Sequence, residues 1–95
     1  MDSKKIIKII EMKRKEMKKM GVKKIGLFGS FVKGKQKKNS DVDVLVEFKN
    51  ISADNFFGLL FLLEKLFKRK IDLIEINSLR KELNYIKEEA QYVKI

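Results

Sequence analysis

Residues 26–48, GLFGSFVKGKQKKNSDVDVLVEF, decide the fold class of this chain. They begin inside an apolar run, Val22–Phe28 (VKKIGLF), that is typical of a strand ending at Gly29-Ser30. They end in DVDVLVEF, where strict alternation predicts a second strand over residues 41–48. Between the two, residues 31 to about 37 are typical of a short helix or loop rich in lysine.

Outside this stretch, periodicity predicts further helices and one more strand. Apolar residues at helical spacing predict a helix over residues 3–20, with Ser3 or Asp2 as its cap and Gly21 at its end. Asp54 is the predicted cap of a helix that runs to about residue 68.

A third strand is predicted over residues 71–76 (IDLIEI), followed by a last helix over residues 79–92 that Ser78 would cap. This order of elements predicts an α/β (α+β) fold with a small three-stranded mixed sheet and helices packed on it. The length of 95 residues predicts a single domain over residues 1–95.

Composition excludes several kinds of chemistry. The chain has no cysteine and no histidine, which excludes disulfides, zinc sites with such ligands and Ser–His catalysis. The first 38 residues hold 14 Lys/Arg against 3 Asp/Glu, which favours polyanionic partners, although a solvated lysine face would have the same composition. The N-terminus lacks the apolar core of a signal peptide, and no apolar run could span a membrane, so a cytoplasmic location is expected.

The pair Asp41 and Asp43 is the strongest chemical signal. Residues two apart on a strand project from the same face, so these carboxylates would repel each other and raise each other's pKa. A divalent cation between them relieves that repulsion, and oxygen ligands alone suit Mg²⁺ or Mn²⁺. Upstream, Gly29 lets the backbone approach a ligand closely, and Ser30 adds a hydroxyl donor for phosphate.

Asp72 supplies a third carboxylate on the third predicted strand. If that strand pairs beside the second, Asp41, Asp43 and Asp72 can organise two cations for in-line attack at phosphorus. Each feature alone also has a structural explanation, as a turn, a strand edge or a cap. Their combination predicts a site that binds a nucleoside triphosphate and transfers a nucleotidyl group.

The same stretch resembles the minimal nucleotidyltransferase (MNT) signature of the DNA polymerase beta superfamily, which is Gly-Ser, ten residues, then Asp-x-Asp. Gly29, Ser30, Asp41 and Asp43 match it, and Asp72 in KIDLIEI matches the family's third metal-binding carboxylate. The resemblance covers nearly the whole chain and implies a polymerase-beta-like core.

Short MNT proteins of this kind are antitoxins paired with HEPN RNase toxins. The resemblance therefore implies a protein adenylyltransferase that uses ATP and Mg²⁺, with two ions and Mn²⁺ as an alternative, to transfer AMP to a tyrosine of the toxin. Two positions depart from the usual pattern, since Phe31 replaces a tyrosine and Lys33 an arginine. Lys33 and Lys35 are the expected nucleotide contacts beside Gly29 and Ser30.

Two other functions stay open at this point. The fold could neutralise a toxin or hold a nucleotide without catalysis. A nucleotidyltransferase acting on nucleic acid is the weaker alternative, because a chain this short has no separate domain to position a strand, and nucleic acid is not expected as a partner. The apolar helix between Phe56 and Phe67 predicts contact with a protein partner or a homo-oligomer, with Phe61 and Leu62 on the free surface.

Overall fold

Strands β1 (Val22–Phe28) and β2 (Val42–Phe48) form the centre of a mixed sheet in the computed structural model, which describes residues 1–95. Their pairing is antiparallel, with Phe28 opposite Asp43. Strand β3 (Ile71–Glu75) lies parallel to β2, and β4 (Gln91–Val93) lies antiparallel to β1, which gives the order β3-β2-β1-β4. The parallel pair is possible because the long connection after β2 carries a helix back across the sheet.

Five helices accompany the sheet. They are α1 (Ser3–Met12), α2 (Arg14–Lys19), α3 (Ser30–Lys33), α4 (Ala53–Phe67) and α5 (Tyr85–Glu89), with 3₁₀ turns at Ile76–Ser78 and Lys81–Leu83. None of these helices is long and apolar enough to cross a membrane.

The main core lies between one face of the sheet and helices α1 and α4. Ile6 and Ile10 of α1 and Leu59 and Leu63 of α4 are completely buried against it. The alternation of β2 directs Val42, Val44 and Val46 into the same core. Each such side chain contributes about 1.5–3 kcal/mol on burial.

The opposite face of the sheet is covered only in part. Phe28, Leu45 and Ile86 form a small second cluster there under α5. Near the beginning of β2 and β3 polar side chains on this face can meet solvent and ligands, since Asp43 is half-buried and Asp72 is exposed.

The α+β class is confirmed, but the sheet has four strands and not three. The predicted helix over residues 79–92 is wrong for most of its length, because only Tyr85–Glu89 is α-helical. Residues 91–93 instead pair with β1, which buries Val93 opposite Ile25. Ser78 does not cap a helix, since its hydroxyl donates to the Glu75 carbonyl over 2.7 Å.

Two further boundaries differ from the predictions. The helix over residues 3–20 is divided at Lys13 into α1 and α2, although Asp2 caps its start as expected by accepting from the Lys5 N–H. The cap of α4 is Ser52, whose hydroxyl accepts from the Asn55 N–H over 3.1 Å, and Asp54 lies in the first turn. A Ser hydroxyl in extended backbone competes well for this position.

The buried stripe of α4 differs from the one that its sequence predicts, which consists of Phe56, Phe57, Leu60, Leu63 and Phe67 and leaves Leu59 outside it. Leu59, Leu63 and Phe67, spaced by four residues, face the core, and Leu62 packs partly against it. The prediction that Leu62 lies on the free surface is therefore wrong. Phe61, by contrast, is 64% exposed, as expected, and its ring centroid lies 6.4 Å from that of the half-exposed Phe57.

The C-terminus of α4 carries a strained residue. Lys68 has φ +51° and is the only non-glycine residue with positive φ. We expect Lys68→Gly to raise the free energy of unfolding by about 0.5–1 kcal/mol, because glycine adopts this conformation without the Cβ penalty. Urea unfolding measures the change. The control is Lys65→Gly, at an exposed position inside the same helix, which should lower the free energy of unfolding. A lower free energy of unfolding for Lys68→Gly would contradict the expectation.

Candidate active site

The register of the parallel strands brings two of the predicted carboxylates together. Asp43 of β2 lies directly opposite Asp72 of β3. Paired residues in register project from the same face of a sheet, so both side chains lie on the partly covered face. Asp43 is half-buried and Asp72 is exposed, which leaves the pair open to a ligand from one side.

The backbone of Gly29 packs against the Asp43 carboxyl of this pair. It follows the last residue of β1, and its backbone has φ +75°. A Cβ placed on Gly29 would lie only 3.0 Å from Cγ and 3.3 Å from Cβ of Asp43. Only glycine fits both this conformation and this distance, so the chain backbone touches the Asp43 carboxyl.

Ser30 begins the short helix α3 immediately beyond Gly29. The Gly29 carbonyl accepts from the N–H groups of Val32 and Lys33, each over 3.2 Å. This turn places the half-buried Ser30 directly after Gly29, whose backbone contacts Asp43. Backbone N–H groups and a hydroxyl in this position are suitable donors for phosphate oxygens.

Electrostatics at Asp43 match those of a cation site. Burial, the negative charge of Asp72 and, less strongly, that of Asp41 raise the pKa of Asp43 to about 6. A hydrogen bond between the Asp43 and Asp72 side chains acts in the same direction. Two carboxylates this close repel each other, and a divalent cation between them would remove that repulsion. The residues therefore fit a hard cation with oxygen ligands.

Asp41 does not join the pair as closely as predicted. It lies one residue before β2, is exposed, and acts on Asp43 through its charge. The acidic side chains do not form a ready group of three metal ligands in this structure. The physical reason is that Asp41 belongs to the turn before the strand, so strand pairing does not fix its side chain.

The two predicted lysines lie apart from the carboxylates. Lys33 Nζ is 3.9 Å from Glu89 Oε2 of α5, and both side chains are about half exposed. Such a surface pair contributes little and leaves the lysine free to turn toward a ligand. The side chain of Lys35 is exposed, while its N–H donates to the Ser30 carbonyl over 2.9 Å. The contact of either lysine with nucleotide stays a prediction.

The sequence model of the nucleotidyltransferase domain family matches residues 6–94, nearly the whole chain. The chain belongs to this family. Protein adenylyltransferase MntA from Thermococcus cleftensis is 42% identical over 74 residues, which cover 76% of this chain and 75% of that protein. The predicted superfamily and the prediction of a nucleotidyl-transferring enzyme are confirmed.

Solved structures share the fold of this nucleotidyltransferase. A minimal nucleotidyltransferase superposes with a TM-score of 0.82 at 25% identity, covering 96% of this chain and 95% of that one. A toxin–antitoxin with AMP-PNP has a TM-score of 0.68 at 23% identity, covering 86% and 70%. A tri-AMPylated Shewanella oneidensis HEPN toxin in complex with an MNT antitoxin has a TM-score of 0.62 at 18% identity, covering 90% and 70%. At these identities the last two show the common fold alone.

Arg69 is a residue of the nucleotidyltransferase site region that sequence reasoning missed. One of its guanidinium nitrogens donates to the carbonyl of Lys38 over 2.9 Å and to that of Ser40 over 3.4 Å. Its Cζ lies 5.6 Å from the ring centroid of Phe31. These hydrogen bonds of Arg69 link the connection before β3 to the turn before β2. The basic triplet Lys68–Lys70 next to a strand that carries an aspartate was the available sequence signal.

The raised pKa of Asp43 predicts a pH dependence of stability in the nucleotidyltransferase without divalent cation. The carboxyl titrates near 3.8 when unperturbed and at about 6 in the folded protein, so folding favours its protonated form. The stability that this group contributes is complete below about pH 4 and is lost as pH rises through 6. Because Asp43 is partly solvated, we expect the loss to be only about 1 kcal/mol.

Urea unfolding of wild type and Asp43→Asn in EDTA, at pH 5 and pH 7.5, measures this difference. At the higher pH, the free energy of unfolding of the variant should rise by about 1 kcal/mol relative to that of wild type. The contributions of all other titrating groups are the same in both proteins and cancel in this comparison. An equal pH dependence of the two proteins would contradict a raised pKa of Asp43.

Proposed function

We propose that this chain is a Mg²⁺-dependent protein adenylyltransferase that transfers AMP from ATP to a tyrosine of a cognate HEPN toxin and thereby acts as its antitoxin. The observation that carries the proposal is the register pair of Asp43 and Asp72 against the Gly29 backbone. The name of the Thermococcus relative and the AMPylated toxin in the Shewanella complex support the reaction and the partner. Residues 1–95 would act as one domain, and a cytoplasmic location stays a prediction.

The side chains of Asp43 and Asp72 would hold the metal, and Asp41 would join them by turning its exposed side chain. Bound Mg²⁺, in one or two ions, or Mn²⁺ in its place, would neutralise the phosphates and lower the pKa of the attacking hydroxyl. Asp72 is the more exposed member of the pair. It would therefore be the carboxylate more accessible to an approaching protein hydroxyl.

The group transfer then follows from these positions. The tyrosine oxygen attacks the α-phosphorus of ATP and passes its proton to the Asp72 carboxylate. The bond between the α-phosphorus and the oxygen that bridges to the β-phosphorus breaks, and pyrophosphate leaves. Ser30 and the backbone beyond Gly29 hold phosphate oxygens, and Lys33 and Lys35 add positive charge to the departing phosphates.

The decisive experiment incubates the protein with α-labelled ATP, Mg²⁺ and the protein encoded by the neighbouring gene. Label on a tyrosine of that partner supports the proposed reaction. Formation of a stable, neutralised complex without label would instead identify a non-catalytic binding module. Label on RNA in the absence of any protein partner would identify a nucleic-acid nucleotidyltransferase.

Self-association through the helix between Phe56 and Phe67 stays a prediction, and the exposed rings of Phe57 and Phe61 locate its test. We expect Phe57→Glu with Phe61→Glu to keep the helical circular dichroism and to lower any dimer fraction at least about tenfold, because charge replaces apolar contact. Analytical ultracentrifugation measures the change. A monomeric wild type at high concentration would contradict self-association.

A further inference from the structure

The side chain of Arg69 contacts two segments that adjoin predicted site residues. Its guanidinium donates to the carbonyls of Lys38 and Ser40, over 2.9 and 3.4 Å, in the turn before β2. Its Cζ lies 5.6 Å from the ring centroid of Phe31, within the range of a cation–π contact. Phe31 directly follows Ser30 in α3 and is 2% exposed. One side chain therefore joins helix α3, the turn before β2 and the beginning of β3.

Contacts to the segment before β3 hold the backbone on both sides of Asp41. On the N-terminal side, the Ser40 carbonyl accepts from the Arg69 guanidinium. On the C-terminal side, the Val42 N–H donates to the Lys70 carbonyl over 3.1 Å. Asp41 itself is exposed. The place from which its side chain can reach a ligand is therefore set by Arg69 and Lys70.

The turn before β2 also closes on itself. The Lys37 N–H donates to the Ser40 hydroxyl oxygen over 2.7 Å, and the Ser40 N–H donates to the Lys37 carbonyl over 3.0 Å. These hydrogen bonds fix the shape of the turn but do not connect it to another element. The hydrogen bonds from Arg69 connect the closed turn to the segment that leads into β3, the strand of Asp72.

These contacts require the particular shape of an arginine side chain. A guanidinium is planar, carries several N–H donors in a fixed fork and interacts well with aromatic rings. Arg69 can therefore donate to two carbonyls while its charge lies near the Phe31 ring. A lysine has the same charge but only a compact ammonium group, so it cannot make all of these contacts together.

We propose that Arg69 is a positioning residue, which holds Asp41 where its carboxylate can reach the cation bound by Asp43 and Asp72. The inference rests on the proposed function, in which these three carboxylates bind the divalent cation. Arg69 does not bind the cation itself, because a guanidinium is positively charged and has no acceptor atom. It acts through the backbone of residues 38–41.

The charge of Arg69 and its hydrogen bonds predict opposite effects when the side chain is removed. Loss of a positive charge near the carboxylates would by itself strengthen the binding of a cation. Loss of the hydrogen bonds lets the turn before β2 move, which weakens that binding. Since residues that orient metal ligands change metal affinity by roughly 10–100-fold, we expect Arg69→Gln to weaken Mn²⁺ binding about tenfold.

The test titrates Mn²⁺ alone into the isotope-labelled protein and follows the paramagnetic loss of the backbone amide NMR signals of Asp43 and Asp72. The Mn²⁺ concentration at half loss should rise about tenfold in Arg69→Gln. The matched control is Lys70→Gln, which removes an exposed positive charge next to Arg69 and keeps the backbone carbonyl. Its half-loss concentration should stay equal or fall. An unchanged or lower value in Arg69→Gln, or an equal rise in Lys70→Gln, would overturn the inference.

A double variant shows whether Arg69 acts through Asp41. Asp41→Asn alone should raise the half-loss concentration, and Arg69→Gln should then raise it further by only about twofold or less. A full second rise, or no effect of Asp41→Asn, would mean that Arg69 does not act by placing this carboxylate.

A second substitution covers the case in which Arg69→Gln loses the dispersed spectrum of a folded protein. Arg69→Lys keeps the charge and the long apolar stem, and its half-loss concentration should rise about threefold, because lysine replaces only part of the contacts. A folded Arg69→Lys variant that binds Mn²⁺ like wild type would overturn the inference.

The results also separate this inference from the proposed function, because the titration contains neither ATP nor a partner. AMP transfer by wild type, together with unchanged Mn²⁺ binding in Arg69→Gln, would overturn the role of Arg69 and leave adenylyl transfer intact. The expected half-loss concentrations without any AMP transfer would support the role of Arg69 at a metal site and count against the proposed reaction. A wild type whose Asp43 and Asp72 signals do not respond to Mn²⁺ would overturn the inference and the proposed metal site together.

Discussion

We expect Asp43→Asn to lower the rate of AMP transfer to the partner by at least about a thousandfold while the protein stays folded. Asp43 is the only predicted carboxylate that is both in strand register with a second one and in contact with the Gly29 backbone. Asparagine keeps the size of the side chain but removes the negative charge that would hold the cation. The initial rate of label transfer, at saturating ATP and Mg²⁺, measures the loss.

The unfolding free energy distinguishes a chemical effect from a structural one. Without divalent cation at pH 7.5, Asp43→Asn should be at least as stable as wild type, because the repulsion from Asp72 is relieved. Glu11→Gln removes an exposed negative charge on α1 and is the control that should retain full activity. Transfer by Asp43→Asn within tenfold of wild type would show that the pair does not hold the reactive metal.

Gly29→Ala is the second substitution for which we expect a large effect. The new methyl group would overlap the Asp43 carboxyl. Alanine would also have to adopt a backbone conformation with positive φ. We expect a loss of about 2–4 kcal/mol of unfolding free energy, from a backbone conformation that essentially only glycine adopts and from overpacking. Transfer should fall by at least about a hundredfold, because a displacement of about 1 Å disturbs the reacting geometry.

Gly34→Ala is a control for positive φ, although Gly34 has the left-handed helical conformation (φ 70°, ψ 21°) and Gly29 does not (φ 75°, ψ −147°). Gly34 also has positive φ, but a Cβ there meets nothing within 4 Å. It should therefore lose only about 1 kcal/mol. Equal losses at Gly29 and Gly34 would mean that contact with Asp43 adds nothing.

A double variant tests the contact itself. Asp43→Ala removes the atoms that the new methyl group would meet, so Gly29→Ala should be less destabilising in that background. Chemical denaturation of the four proteins gives the coupling energy. Additive losses would place the effect of Gly29 in its own backbone and not in its contact with Asp43.

Local periodicity in the sequence determined much of the site. Alternation in β2 and β3 placed Asp43 and Asp72 on one face of their strands, and the Gly29-Ser30 turn after β1 was predicted from the residues themselves. These features depend on neighbours two to four residues away, which the sequence shows directly. The same reasoning predicted the α+β class and gave Asp2 as one of two candidate caps of the first helix. It placed the cap of α4 at Asp54, which was wrong, since Ser52 is the cap.

Only the tertiary structure decided how these pieces meet. The residues after 79 have a helical pattern, but pairing with β1 buries Val93 and converts residues 91–93 into a fourth strand. Strand register extends to Asp43 but not to Asp41, whose side chain therefore remains in an exposed turn. Arg69 reaches back about thirty residues to Lys38, and this hydrogen bond links the connection before β3 to the turn before β2. Such contacts depend on which elements pack together, and a pattern that repeats every two or four residues carries no information about that choice.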